Sequence, residues 1–428
     1  MDPRLREDDT AAMDPRLRED DGQFDALTTM ATVLCVWEQG GNLGHLTHLR
    51  RPIEAALQLG HRVVLAAREL HRVPEALAGL RIELLAAPFK QHVQPADQSA
   101  FLSMTHILAR QCFSSVAELE MYLRAWRTIF DLVQPDLVLF EHSPTALIAS
   151  QGCRFKKVLV GSGFAIPPLP EPGAPFAPFS TTPDSDAVRT GLLADDALVL
   201  GLINQALARL GLAPLPDLAQ IYRQADASLL LSWPALDHFG ARPGQRYLGA
   251  VPLSQQPAAV WPAGPGPRVF GYLQAMPSLD ALLRCLRAAG VCALLLVRDL
   301  PPELRRRYSS DSLQFLDGLV DLGSVAAQAD WVINHANHST VAVFAQAGLP
   351  QLLIPQQQEQ LLLALRLVAQ GSAVLAYQDQ PGFGKETRQM LTDPGLQAQA
   401  RALAQDCRAA DAGQGAAHIQ ATLQALLA

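Results

Sequence analysis

The stretch from Trp331 to Gln360, WVINHANHSTVAVFAQAGLPQLLIPQQQEQ, is compatible with few folds. An apolar run, Trp331 to Ile333, leads into imidazole, amide and hydroxyl side chains, after which Val341, Phe344 and Ala345 recur at helical spacing. The pattern predicts a helix N-terminus presented at a strand end. The first amides of a helix lack internal partners and carry the positive end of its dipole, so such a turn suits an anion such as a pyrophosphate. Gly348 and Pro350 stop the helix, Leu352 to Ile354 reads as a second strand, and Pro355 opens a loop that delivers Glu359 and Gln360 nearby. A carboxylate beside an amide is suited to gripping sugar hydroxyls.

Two further places carry chemistry. In EQGGNLGHLTHL, Gly40, Gly41 and Gly44 permit a tight turn between the strand Thr32 to Trp37 and a helix running to about Leu59, with His45 at the helix start. An ordinary histidine titrates at about 6.5, which suits it to act as a base near neutrality. The loop lacks the spacing of a dinucleotide fingerprint, and a histidine there could equally cap the helix. In PDLVLFEHS a buried strand ends at Glu141, which reads either as a partner to a catalytic group or as half of a structural ion pair; Asp136 precedes the strand and reads as structural.

Together these segments resemble the nucleotide-sugar glycosyltransferases of the UDP-glycosyltransferase and macrolide glycosyltransferase kind. The donor motif of that family is matched in order and spacing by His335, Ala336, Asn337, His338, Ser339, Thr340, then Gly348-Leu349-Pro350, then Pro355 with Glu359-Gln360. Two departures stand out: the family's Gly-Gly is Ala336-Asn337, and its ribose-binding Glu is Val343. The resemblance implies an α/β chain of the GT-B class, two Rossmann-like domains facing each other across a cleft. It implies His45 as catalytic base, with Glu141 in the place of the family's orienting Asp. Gly44, His335, Asn337, Ser339 and Thr340 fall to the donor's diphosphate side, and Glu359 with Gln360 to its sugar. His338 has a blander reading as a solvent-facing helix residue.

The expected activity is inverting, metal-independent transfer of a hexose from a UDP- or dTDP-sugar to a hydroxyl of an apolar small molecule or lipid. The acceptor wall is sought in GSGFAIPPLPEPGAPFAPF, a Pro-rich apolar loop, and an acceptor of that kind leaves room for peripheral membrane contact. The alternative is a catalytically decayed scaffold or nucleotide-binding protein on the same fold, kept open by Ala336, Asn337 and Val343; an epimerase of similar architecture is a further rival. No cofactor is expected beyond the nucleotide sugar, which is a co-substrate. The pairs His45/His48 and His335/His338 have no third metal ligand close in sequence, and Asp184 to Asp186 lies in a polar loop, so no metal is expected.

Composition bounds the rest. At 428 residues and 49% hydrophobic, the chain has material for two domains. The expected division is an extension at 1–29, an acceptor domain at 30–251, a Pro/Gly-rich linker at 252–267, and a donor domain with a C-terminal helix at 268–428. MDPRLREDD occurs twice in the extension, with no apolar run, and reads as disordered or as translated upstream sequence. Met1 to Asp25 holds nine acidic and four basic side chains, net −5, which leaves about −2 of the total −7 for the body. A body so close to neutral argues against nucleic-acid binding. Six scattered cysteines without a CxxC pair fit reduced thiols in a cytoplasm.

Overall fold

Among the described residues, twelve strands form two six-stranded sheets in which every neighbouring pair runs parallel. The computed structural model describes residues 30–41, 43–91, 100–250, 256–410 and 414–428, so the expected N-terminal extension lies outside it. The first sheet comprises β1 (Thr32–Trp37), β2 (Arg62–Ala67), β3 (Glu83–Ala86), β4 (Leu137–Glu141), β5 (Lys156–Gly161) and β6 (Ala227–Leu230). The second comprises β7 (Arg268–Gln274), β8 (Cys292–Arg298), β9 (Leu313–Phe315), β10 (Trp331–Asn334), β11 (Gln351–Leu353) and β12 (Ala373–Leu375).

The two sheets share one topology. The first has the order β3-β2-β1-β4-β5-β6 and the second β12-β11-β10-β7-β8-β9, so in each the direction of winding reverses between the first and fourth strands of its own half. Loops leaving those two strands diverge to opposite faces and open a crevice at their carboxyl ends, the usual ligand position in doubly wound sheets. In the first sheet the crevice lies at Trp37 and Glu141; in the second, at Gln274 and Asn334.

Alternation along the strands explains why both faces are covered. Val33, Cys35 and Trp37 of β1 enter one core with Leu46, Leu49 and Ile53 of the helix Leu43–Gln58. Leu34 and Val36 enter another with Leu123, Trp126 and Phe130 of the helix Val116–Val133. The Pro-rich loop contributes Phe164, Ile166, Phe176 and Phe179 to that second core, so it is packed structure without regular hydrogen bonding.

One expectation is corrected, and one element carried no sequence reading. The expected polar loop at Asp184 to Asp186 leads directly into the helix Asp186–Arg209, which the sequence did not declare because Gly191, Gly201 and apolar residues on several faces, including exposed Leu198, blur its period. The helix Gly415–Leu427, expected with the donor half, packs on the first sheet's side, where Ile419 and Leu423 are fully buried among β1, β2 and Leu43–Gln58.

That last contact makes a prediction. Leu423→Ala should cost about 2–5 kcal/mol, as other buried leucine truncations do, and the loss should appear in the urea unfolding of the half that contains Trp37 and Trp126, followed by their fluorescence. Unchanged unfolding of that half would contradict the packing.

Candidate functional site

β1 delivers its chain to the crevice through a loop that is held from beneath. The buried Glu38 carboxylate accepts hydrogen bonds from the Thr145 amide at 2.7 Å, the Thr145 hydroxyl at 2.5 Å, the Ala146 amide at 3.2 Å and Trp126 Nε1 at 3.0 Å. It thereby ties the loop to the N-terminus of the helix Pro144–Ala149. Gly40 turns the chain with φ +78°, and a Cβ there would lie 2.0 Å from Nε2 of His45. Both the backbone conformation and the space demand glycine.

His45 opens toward this loop with its ring fixed on three sides. Trp37 stacks on one face at 5.5 Å between centroids and His142 on the other at 5.8 Å. Nδ1 lies 2.9 Å from both carboxylate oxygens of Glu141. With Nδ1–H donating to Glu141, Nε2 is left to accept a proton from a ligand. His48, one turn along the same helix, places its Nδ1 3.0 Å from Glu141 Oε1.

Electrostatics separates His45 from its neighbours. Burial alone would lower its pKa, but the Glu141 carboxylate outweighs burial and the pKa is raised above 6.5. Glu141 shows the reciprocal effect: burial opposes its ionisation, yet His45 and His48 hold its pKa down to about 2. His142 is pushed down to about 4 by burial and by the charge of His45, and His238 to about 3 by burial with Arg242 and Arg366 nearby. Burial lowers His338 well below 6.5. A proton taken up at pH 7 therefore goes to His45 in preference to His142, His238 or His338.

Across the crevice, the helix His338–Ala347 points its N-terminus at a cavity of about 260 Å³. Asn337 is the N-cap residue and makes no side-chain cap bond to the first turn. Gly44 faces this helix so closely that a Cβ would lie 3.2 Å from Ser339 Oγ, bringing two helix starts together. Gly44, His335, Asn337, Ser339, Thr340 and Gln360 line the cavity. Apolar Leu296, Val320 and Val343 and one arginine, Arg298, also line it. Gly41, Leu43 and Thr47 complete the wall on the first domain's side; His45 itself is not a lining residue, but it follows directly on Gly44, which meets Ser339 there.

The predicted donor residues are thus together, but not all are free to act as expected. His335 Nδ1–H donates to the Ile354 carbonyl at 2.7 Å, and its Nε2 accepts from the Gln274 amide at 2.8 Å. Both ring nitrogens are spent on joining the ends of β7, β10 and the residue after β11. These two bonds tie the turn in place, and His335 also lines the cavity. Gln360 is also committed, its carbonyl to the Gln356 amide at 2.7 Å and its amide to Asn337 Oδ1 at 3.0 Å. Glu359 turns toward His238, 3.8 Å away. His338 is buried, with Nε2 2.8 Å from Ser232 Oγ, which overturns its reading as a solvent-facing residue. Asp136 accepts the Thr32 amide at 2.8 Å and is structural, as its position implied.

The turn itself takes a conformation that favours glycine. Ala336 takes φ +61°, the left-handed region that a glycine would adopt without cost, at an expense of roughly 1–2 kcal/mol. Sequence reasoning missed Glu38, Ser232 and His238. His238 sits in SWPALDHFG, which carries no motif, and it reaches the site because the chain after β6 brings its ring 5.7 Å from that of His338 and 3.8 Å from the Glu359 carboxylate.

No protein-family model matches the chain, and no curated protein matches it. Solved structures do. The glycosyltransferase SnogD from Streptomyces nogalater shares 19% identity over 93% of this chain and 100% of its own, with a TM-score of 0.58. The glycotransferase of kitacinnamycin gives 16%, 94%, 100% and 0.65 in the same order. The spinosyn rhamnosyltransferase SpnG, complexed with spinosyn aglycone, gives 18%, 93%, 100% and 0.63. At these identities the likeness establishes the fold: two Rossmann-like domains in the GT-B arrangement over nearly the whole chain.

The buried pair yields a titration test. Removing the carboxylate charge withdraws what raises His45, so in Glu141→Gln the imidazole should lose its proton at a lower pH than in the unaltered chain. Imidazole carbon–proton NMR spectra across pH 5–9 would show the displacement. An unmoved His45 titration would mean that the carboxylate does not govern it.

Proposed function

We propose that the protein is an inverting glycosyltransferase that moves a hexose from a nucleoside diphosphate sugar to an acceptor hydroxyl without need of a metal. One observation carries the reading: a carboxylate-held imidazole near the carboxyl end of one sheet follows directly on Gly44, which lines the same cavity as the helix N-terminus of the other domain and meets its Ser339. The acceptor oxygen gives its proton to His45 Nε2 as it attacks the anomeric carbon. The bond from that carbon to the diphosphate oxygen breaks on the opposite side, and the configuration inverts. Glu141 stabilises the imidazolium that forms, and the amides at the start of His338–Ala347 take up the charge of the departing diphosphate.

The nucleotide belongs to the UDP or dTDP class in this reading. Its base and ribose lie against Leu296, Val320 and Val343, the last of which provides no carboxylate for the ribose hydroxyls. Among the structural relatives, VinC was solved in complex with DTDP and SpnG with thymidine diphosphate, which supports a pyrimidine nucleotide. The acceptor is an apolar alcohol. A second cavity, of about 410 Å³, lies between the Pro-rich loop and the start of Asp186–Arg209, and Phe179 on its wall stacks on Phe164, which touches His142. Aromatic side chains thus run from that cavity to the base.

General-base catalysis contributes about 100- to 10,000-fold. His45→Ala should lose transfer by that factor, measured by mass spectrometry of acceptor panels with UDP- and dTDP-sugars, while calorimetric binding of the nucleoside diphosphate stays close to that of the unaltered chain. Undiminished turnover would remove His45 from the mechanism, and no binding of UDP, dTDP or GDP would favour a scaffold that has lost its catalysis.

A further inference from the structure

Neither His-x-x-His pair carries a third metal ligand in its own stretch of sequence, but the fold brings one to the first pair. His45 and His48 lie on one face of the helix Leu43–Gln58, and Glu141 reaches them from the end of β4. One ligand atom from each lies within 4.8 Å of the other two. The carboxylate is 2.9 Å from His45 Nδ1 and 3.0 Å from His48 Nδ1. In a tetrahedral zinc site with bonds of about 2.0–2.2 Å, ligand atoms stand roughly 3.3–3.5 Å apart. A retreat of the carboxylate by a few tenths of an ångström therefore makes room for an ion.

Two further observations favour a cation here. Glu141 is fully buried, and among the described residues its carboxylate has only the two imidazoles as partners and no lysine or arginine. Such a carboxylate is compensated either by a protonated imidazole or, once both imidazoles are neutral, by a metal ion that all three groups ligate. The proposed base mechanism also assigns no role to His48, which is buried and whose Nε2 has no hydrogen-bond partner. Two imidazole nitrogens and a carboxylate oxygen are the donor set that zinc and its neighbours cobalt and nickel accept, with a fourth position left for water or another ligand.

We infer that His45, His48 and Glu141 form a three-ligand site for a borderline divalent cation, zinc foremost. An ion bound at His45 Nδ1 takes the lone pair there and obliges Nε2 to carry the ring proton. That imidazole can no longer accept a proton from an acceptor hydroxyl. Occupancy and base catalysis exclude each other, so zinc acts on the proposed transfer as an inhibitor. This consequence rests on the reading of His45 as the base, whereas metal binding itself does not.

The test uses the full chain, freed of metal by a chelator and titrated with cobalt(II) followed by visible absorption, then with zinc chloride by calorimetry and thermal melting. The expected result is one cobalt ion per chain with the intense visible band of low-coordinate cobalt, bleached by zinc, and a melting temperature raised by zinc. His48→Ala and Glu141→Gln should each weaken binding at least about tenfold, while His338→Ala, which removes an imidazole outside the trio, should not. Should His48→Ala fail to fold, His48→Gln keeps a hydrogen bond to Glu141 and reports the same loss. Absence of stoichiometric binding to the unaltered chain, or binding unchanged in the His48 and Glu141 variants, overturns the site. Metal binding without any effect of zinc on transfer leaves the site standing and removes His45 as the base.

Discussion

The rest of the site is arranged around one buried contact, Nδ1 of His45 against the carboxylate of Glu141. A fully buried carboxylate is costly unless something nearby compensates its charge, and an imidazole loses basicity when buried unless a negative group opposes that effect. Each group answers the other's need, and the result is a base with one nitrogen held and the other free. The surroundings serve to keep that geometry: Trp37 and His142 clasp the ring, Gly40 yields the space that Nε2 requires, and Glu38 ties the loop to the helix after β4.

Topology explains why this pair stands beside the cavity that Gly44 and Ser339 line. In both sheets the reversal of strand order opens a crevice at the carboxyl ends, and the two crevices meet where Gly44 approaches Ser339. The helix Gly415–Leu427, although last in sequence, packs on the first domain. The chain therefore returns to the first half after completing the second sheet.

Much of this was legible in the sequence because it is local. The strand, turn and helix of 331–347 declare themselves by polarity and spacing, and Glu141 ends an unmistakable buried strand. What was not legible depends on distant partners. Glu38 looks like one more polar loop residue until Thr145 and Ala146 are placed beneath it. His335 reads as a phosphate ligand from its place in the motif; only the fold shows the Ile354 carbonyl and the Gln274 amide engaging its nitrogens. An amphipathic helix at the C-terminus shows that it has an apolar face without showing which sheet will cover it. Ala336 stands in the left-handed region that favours glycine, at a modest conformational expense.

The central claim is that a diphosphate rests on the amides at the start of His338–Ala347, across the crevice from His45. A crystal structure of the complex with thymidine diphosphate tests it most directly. The account predicts phosphate oxygens within hydrogen-bonding distance of the Ser339 and Thr340 amides, with the base among Leu296 and Val320. A diphosphate bound elsewhere on the surface, or one in the crevice that leaves those amides untouched, would contradict it.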